Sequence, residues 1–183
     1  MRRRALLTRA LPLAAMSLLP GGRAPAAAGR AESTVEKNKD LIRRVIDRAF
    51  NHGDLDIVAE VLADDYLDHA AGPGAPRGLE GFRGFVVAFR ATLPDVVVTV
   101  EDLVAEGDRV ALRVTWRGTQ LGPLGSVPAT GLPVEFVGYH VYRVEDGKLT
   151  EHWGLQDDLG LLLQLGVIAS QAVPPTPGVA TRV

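Results

Sequence analysis

No cysteine occurs in the 183 residues. That excludes a disulfide framework, a thiolate nucleophile and a thiolate zinc site, so any chemistry must come from His, Asp, Glu and Tyr. Histidine is itself scarce, with four in the chain. No two of them stand at i, i+4 spacing, and His140 with His152 would still need a carboxylate partner, so a metal site is not supported. Excess charge of either sign is also missing: 20 Lys and Arg face 22 Asp and Glu, a formal net of -2. Phosphate binding needs clustered cations, so nucleic acid is not an expected partner. No apolar run is long enough to remain as a membrane span.

What is present fits one compact domain, with 46% hydrophobic residues over a length that can enclose a core. Residues 1–30 differ in composition from the rest. Arg2, Arg3 and Arg4 precede the apolar stretch "ALPLAAMSLL", and small residues follow at alternate positions in "GGRAPAAAG". That order reads as an export signal to the periplasm or exterior, and "RRALL" resembles a twin-arginine start, although Arg9 interrupts the apolar run. The alternative is a basic tail on a cytoplasmic protein. The domain is expected over residues 33–168, and residues 169–183, "AVPPTPGVATRV" included, form a loose tail that prolines keep from being helical.

Within the domain, Ser33 and Glu36 form a capping box ahead of a helix whose Leu41, Ile42, Val45, Ile46, Ala49 and Phe50 share one face, ending at Gly53. Asp54 can cap a second, shorter helix. A third carries Leu79, Phe82, Phe85, Val86 and Phe89 and stops at "LPD", because the residue before a proline is pushed out of the helical region. From Val96 the apolar period becomes two. Val110, Leu112, Val114 and Trp116 alternate with Arg109, Arg113, Thr115 and Arg117, the pattern of a half-buried strand. "VEFVGYHVYRVE" and "KLTEHWGL" flank Asp146 and Gly147, a hairpin signal. The expected class is α+β: a curved antiparallel sheet, three N-terminal helices packed on it, and a last short helix in "DDLGLLLQLG".

The run from Trp116 to Gly166 resembles the SnoaL-like polyketide cyclases, or ester cyclases. The matching positions are Thr119, Gly122, Pro128, Thr130, Gly131, Arg143, Asp146, Gly147, Lys148, Glu151, Trp153, Gln164, Leu165 and Gly166, with "YLDH", "GLEGFRGF" and "LPD" similar in the N-terminal half. The resemblance implies a cone-shaped α+β barrel of the ketosteroid isomerase type, enclosing a pocket for a small hydrophobic carbonyl compound. It further implies cofactor-independent aldol chemistry, in which an acid and a histidine on the last two strands move a proton next to a carbonyl and donors hold the enolate oxygen. A homodimer is expected on fold analogy.

His140 stands where that histidine belongs. The residue after the tryptophan, where the acid is expected, is Gly154, and the polar residue expected two before the histidine is Gly138. Asp157 is the substitute acid, although it also begins the closing helix and suits a cap. The catalytic candidates are therefore His140, Asp157 and His69, with Tyr66 as an orienting donor. Trp116, Phe136, Tyr142, His152 and Trp153 are assigned to the pocket wall. Glu135 and Glu151 read as solvent-facing. Two hairpin registers remain open: a two-residue turn with Val144 opposite Leu149 and His140 opposite Trp153, or a pairing slipped by one, with His140 sharing a face with His152 and Gly154. Two further readings stand beside the cyclase: a non-catalytic binding module, which the loss at Gly154 favours, and an ester or lactone hydrolase.

Overall fold

The computed structural model describes residues 25–72 and 74–169. Of the proposed export segment 1–30, residues 1–24 lie outside the described residues while 25–30 belong to the first helix, and of the proposed tail 169–183, residues 170–183 lie outside them. Helix α1, Pro25–Val45, continues as a π-helical turn over Ile46–Asn51; α2, Asp56–Val61, leads into strand β1, Leu62–Asp68, and α3 spans Gly78–Thr92. Four strands follow, β2 (Val97–Glu106), β3 (Arg109–Thr119), β4 (Pro133–Glu145) and β5 (Lys148–Gln156), and α4 (Asp158–Gln164) closes the domain.

The first helix begins earlier than the capping-box reading predicts. Pro25 occupies its first position, and the alanine-rich sequence after it propagates the helix, so Ser33 lies inside rather than at the end. The apolar face is as expected: Ile42, Val45, Ile46, Ala49 and Phe50 are buried. Gly53 then turns the chain at φ +72°, a backbone state that glycine adopts without strain. Asn51 anchors this corner to the edge strand β2, accepting from Val98 N at 2.7 Å and donating to Val98 O at 3.2 Å.

The five-stranded sheet has the order β1-β5-β4-β3-β2. It is mixed rather than purely antiparallel, because β1 lies parallel to β5. This matters for the site: the parallel pairing sets Asp68 opposite His152. The inner face of the curved sheet meets the helices in one core that includes Phe50, Val58, Val86, Val110, Val114 and Trp116.

The β4–β5 hairpin combines the two registers open in the sequence. Asp146 at φ 49° and Gly147 at φ 75° make a two-residue turn, with Glu145 opposite Lys148 and Val144 opposite Leu149. Thr150 is then an extra residue, so Arg143 pairs with Glu151 and His140 with Gly154. A bulge of this kind reverses which side chains point inward. Leu149 is buried before it and His152 after it, three positions apart.

Two glutamines account for much of the sequence pattern seen after β3. Gln120, almost fully buried, donates to the carbonyls of Gly122 and Pro128 and accepts from Thr130 N, which holds the loop containing Pro128, Thr130 and Gly131. Gln164 clamps α4 to β4 by accepting from Glu135 N at 2.9 Å and donating to Glu135 O at 2.8 Å.

Candidate active site

Between the helices and the inner sheet face lies a cavity of about 690 Å³. Its wall includes Phe50, Tyr66, Phe82, Trp116, His140 and Tyr142, with Asp68 and His152 on the same lining. The volume lies within the range of small-molecule pockets.

Three of these side chains form a line. Asp68 Oδ1 is 2.8 Å from His152 Nδ1, and His152 Nε2 is 3.0 Å from His140 Nδ1. Burial pulls the Asp68 carboxyl upward, but the hydrogen bond and charge of His152 and the Ala70 N–H outweigh it, so it sits below its ordinary value and is ionised at neutral pH. A carboxylate only accepts, so His152 carries its proton on Nδ1. In the tautomer where His152 carries only that proton, its Nε2 accepts from His140 Nδ1–H. The lone pair of His140 is then on Nε2, which is buried and has no hydrogen-bond partner among the described residues. Burial first, and the neighbouring His152 second, push the His140 imidazole down to about 4, against a smaller upward pull from Asp68. The ring is thus held neutral, with its basic nitrogen free.

Backbone packing explains both glycines that depart from the expected pattern. A Cβ on Gly154 would lie 2.7 Å from His140 Nδ1 and 2.8 Å from His152 Nε2, on the contact between the rings. The missing side chain is what lets them meet. A Cβ on Gly138 would lie 2.6 Å from His140 Nε2 and 3.0 Å from Trp116 Nε1. Trp116 Nε1 and the Tyr66 hydroxyl are likewise buried without partners among the described residues. The Tyr66 hydroxyl is raised well above its ordinary value, by burial foremost and then by Tyr142 and Asp68, and stays a protonated donor.

The candidate residues separate into two groups. His140, His152, Tyr66, Trp116 and Tyr142 line the cavity, and Tyr142 stacks on His152 with ring centroids 4.5 Å apart. Asp157 does not join them. Its carboxylate accepts from Gly160 N at 2.8 Å and caps α4, which corrects the expected pairing with His140. His69 and Trp153 are also displaced, because they follow Asp68 and His152 by one residue and strand side chains alternate. They stack at 4.5 Å and line a hollow of about 770 Å³ on the opposite face of the sheet. There His69 Nε2 is 2.8 Å from Glu151, which also pairs with Arg143. Phe136 is buried behind Trp116, ring to ring at 6.2 Å, and does not line the cavity.

Asp68 is the site residue that the sequence reading missed. The signal was present in "YLDH": Tyr66 and Asp68 are two apart on a strand, so a Tyr66 directed into the pocket brings Asp68 to the same side.

Comparison with known proteins agrees with this architecture. The model of the SnoaL-like polyketide cyclases matches residues 40–165. The chain belongs to that family. It is 33% identical over 130 residues to the aklanonic acid methyl ester cyclase DauD of Streptomyces sp. (strain C5), covering 69% of this chain and 80% of DauD. It is 32% identical to the nogalonic acid methyl ester cyclase of Streptomyces nogalater, covering 64% of this chain and 90% of the relative. Among solved structures, TsrD from Streptomyces laurentii superposes with a TM-score of 0.68 at 32% identity, covering 73% of this chain and 97% of TsrD. IdmH from Streptomyces antibioticus does so with a TM-score of 0.62 at 39% identity, covering 70% and 98%. The fold is the mixed α+β cone of these relatives, and family membership supports cofactor-independent cyclase chemistry.

Proposed function

We propose that this SnoaL-like protein catalyses an intramolecular aldol cyclisation of a polyketide ester, with His140 as general base. The observation that carries the reading is the line from Asp68 through His152 to His140, a cavity-lining residue whose buried Nε2 has no partner among the described residues. His140 Nε2 removes a proton from carbon beside a carbonyl, and that C–H electron pair becomes the enolate. The enolate carbon attacks a second carbonyl of the same molecule, a C–C bond forms, and the resulting alkoxide recovers the proton from His140. No atom is gained or lost and no cofactor is required. Burial of His140 supports this route because it keeps the imidazole neutral.

The names of the relatives supply the test substrates. Aklanonic and nogalonic acid methyl esters are incubated with the protein, and products are separated by liquid chromatography and weighed by mass spectrometry. Cyclisation gives a new retention time at unchanged mass. Loss of the methyl ester would make the protein a hydrolase, and tight binding with no product would make it a binding module.

Two expectations about the setting accompany this reading. Export is tested at the N-terminus of protein recovered from its native cell: a chain still beginning at Met1 in the cytoplasm ends it. Homodimerisation through the outer sheet face is supported by its exposed Val104, Tyr139 and Leu155. Sedimentation should then give a dimer that Leu155→Glu dissociates.

A further inference from the structure

Arg77 is the unpaired cation of the cavity wall. It is exposed, it lines the cavity of about 690 Å³, and among the described residues it is the one arginine or lysine that does so. No hydrogen bond or ion pair reaches its guanidinium from the described residues. Every other arginine whose side chain is described has a carboxylate or carbonyl partner, as Arg83 has Glu80 at 2.8 Å and Arg90 has Asn51 O at 3.2 Å. The remaining charges of the lining do not serve Arg77. Asp68 is held by His152 and by the Ala70 N–H, at 2.8 Å and 2.9 Å. Asp158, at the start of α4, forms no ion pair with it.

The backbone that carries Arg77 is pinned. Gly78 turns the chain at φ +66°, and a Cβ there would lie 2.9 Å from Asp64 O on β1. A Cβ on Gly81 would overlap the Pro76 carbonyl. The two glycines thus let the chain ahead of α3 close onto β1 and onto the first turn of the helix. Arg77 O completes this corner by accepting from Gly81 N at 3.3 Å. The charge is therefore anchored at one place on the rim, with its donors turned to no other part of the fold.

We propose that Arg77 selects ligands that carry a carboxylate at the end remote from His140, held by the guanidinium at the cavity rim. A planar carboxylate matches the parallel N–H groups of the guanidinium fork, and an apolar body rests on Phe50, Phe82, Phe85 and Trp116 of the same wall. Such a ligand spans from the exposed Arg77 to the buried His140. Its charge then stays near water, where desolvation costs least, and its apolar part takes the interior. A phosphate dianion is the poorer match, because its second charge would face Asp158 on a lining with no further lysine or arginine. The part Arg77 plays in turnover rests on the cyclase reading, whereas the binding preference does not.

Calorimetric binding of 2-naphthoate and 2-naphthamide tests this without any turnover, since the two share a shape and differ in charge. At low ionic strength wild type should bind naphthoate about fivefold or more tighter, the yield of one partly exposed charge pair. Salt at about 0.5 M should erode that preference by screening. Arg77→Gln should bring the two affinities within about twofold, and Arg77→Met, of similar length and without charge, should do the same. The chain has two tryptophans. In nitrogen-labelled protein, the indole signal of Trp116, on the cavity wall, should move with naphthoate while that of Trp153, on the other face, stays in place. Equal affinity for the two ligands in wild type, an undiminished preference in both variants, or a shift confined to Trp153 would overturn the assignment. Should Arg77→Gln fold poorly, Arg77→Met decides. An Arg77-dependent preference with no cyclisation of either methyl ester would sink the enzyme reading and leave the rim site standing. Cyclisation without the preference would remove Arg77 alone.

Discussion

His140 Nδ1 lies 3.0 Å from His152 Nε2, and the two rings occupy the space that a side chain at Gly154 would need. The absence of an acid after the tryptophan therefore does not empty the site. It makes room for a histidine that is wired to a carboxylate on another strand.

Gly154→Ala should break this arrangement. Its methyl group would meet both rings at under 3 Å, between backbones that are paired and cannot move apart. Cyclisation of aklanonic acid methyl ester is expected to fall at least tenfold, and urea unfolding should show a loss of about 1–3 kcal/mol, the usual cost of overpacking. Wild-type activity in this variant would mean that the ring–ring contact is dispensable.

Asp68→Asn tests the far end of the line. The Asp68 charge raises the His140 imidazole, so its removal should move the acid limb of the kcat/KM profile to lower pH and reduce kcat on the order of tenfold or more. KM should change little. A purely structural Asp68 would lower stability and leave the acid limb where it was.

His140→Gln removes the base while keeping a side chain of similar length. Loss of kcat by roughly 10²–10⁴ is expected from the removal of general base catalysis. The stability profile should change as well. The His140 imidazole sits at about 4 in the folded state against an ordinary 6.5, so between those values the unfolded chain binds more protons than the folded one. Stability is therefore full above about 6.5 and is lost as pH falls through about 4. The variant should be less sensitive across that window, as read by thermal melts at several pH values. Asp68, also depressed, adds acid sensitivity that begins below the His140 window.

Asp157 gives the contrasting result. Asp157→Asn can still accept from Gly160 N and should keep both stability and activity. Asp157→Ala should cost about 1 kcal/mol through the lost cap, with turnover on correctly folded protein unchanged. A large fall in kcat for the asparagine variant would return Asp157 to the catalytic candidates.

Much of the fold was legible because it follows from local periodicity. The buried set Ile42, Val45, Ile46, Ala49 and Phe50 declares a helix face, and the alternation from Val110 to Trp116 declares a strand, whatever surrounds them. The stop before Pro94 and the turn at Asp146 and Gly147 are equally local, since each depends on the backbone states those residues permit. His140 was legible through its place in an ordered series of motifs, and the outward direction of Glu135 and Glu151 through simple alternation.

The remainder depended on contacts between segments far apart in the chain. A single bulged residue, Thr150, turned His152 inward and Trp153 outward, and no propensity in "KLTEHWG" marks which residue will bulge. The parallel pairing of β1 with β5 brought Asp68 to His152 across 84 positions of sequence. The same pairing carried His69 to the other face. By itself the sequence determined the helices, the strands, the absence of cysteine chemistry and the family; local backbone preference and alternation suffice for those. Only the tertiary structure decided that Asp68 rather than Asp157 is linked through His152 to His140, and that a side chain at 138 or 154 would collide with His140 and its ring neighbours Trp116 and His152, because which side chains meet depends on register and strand order.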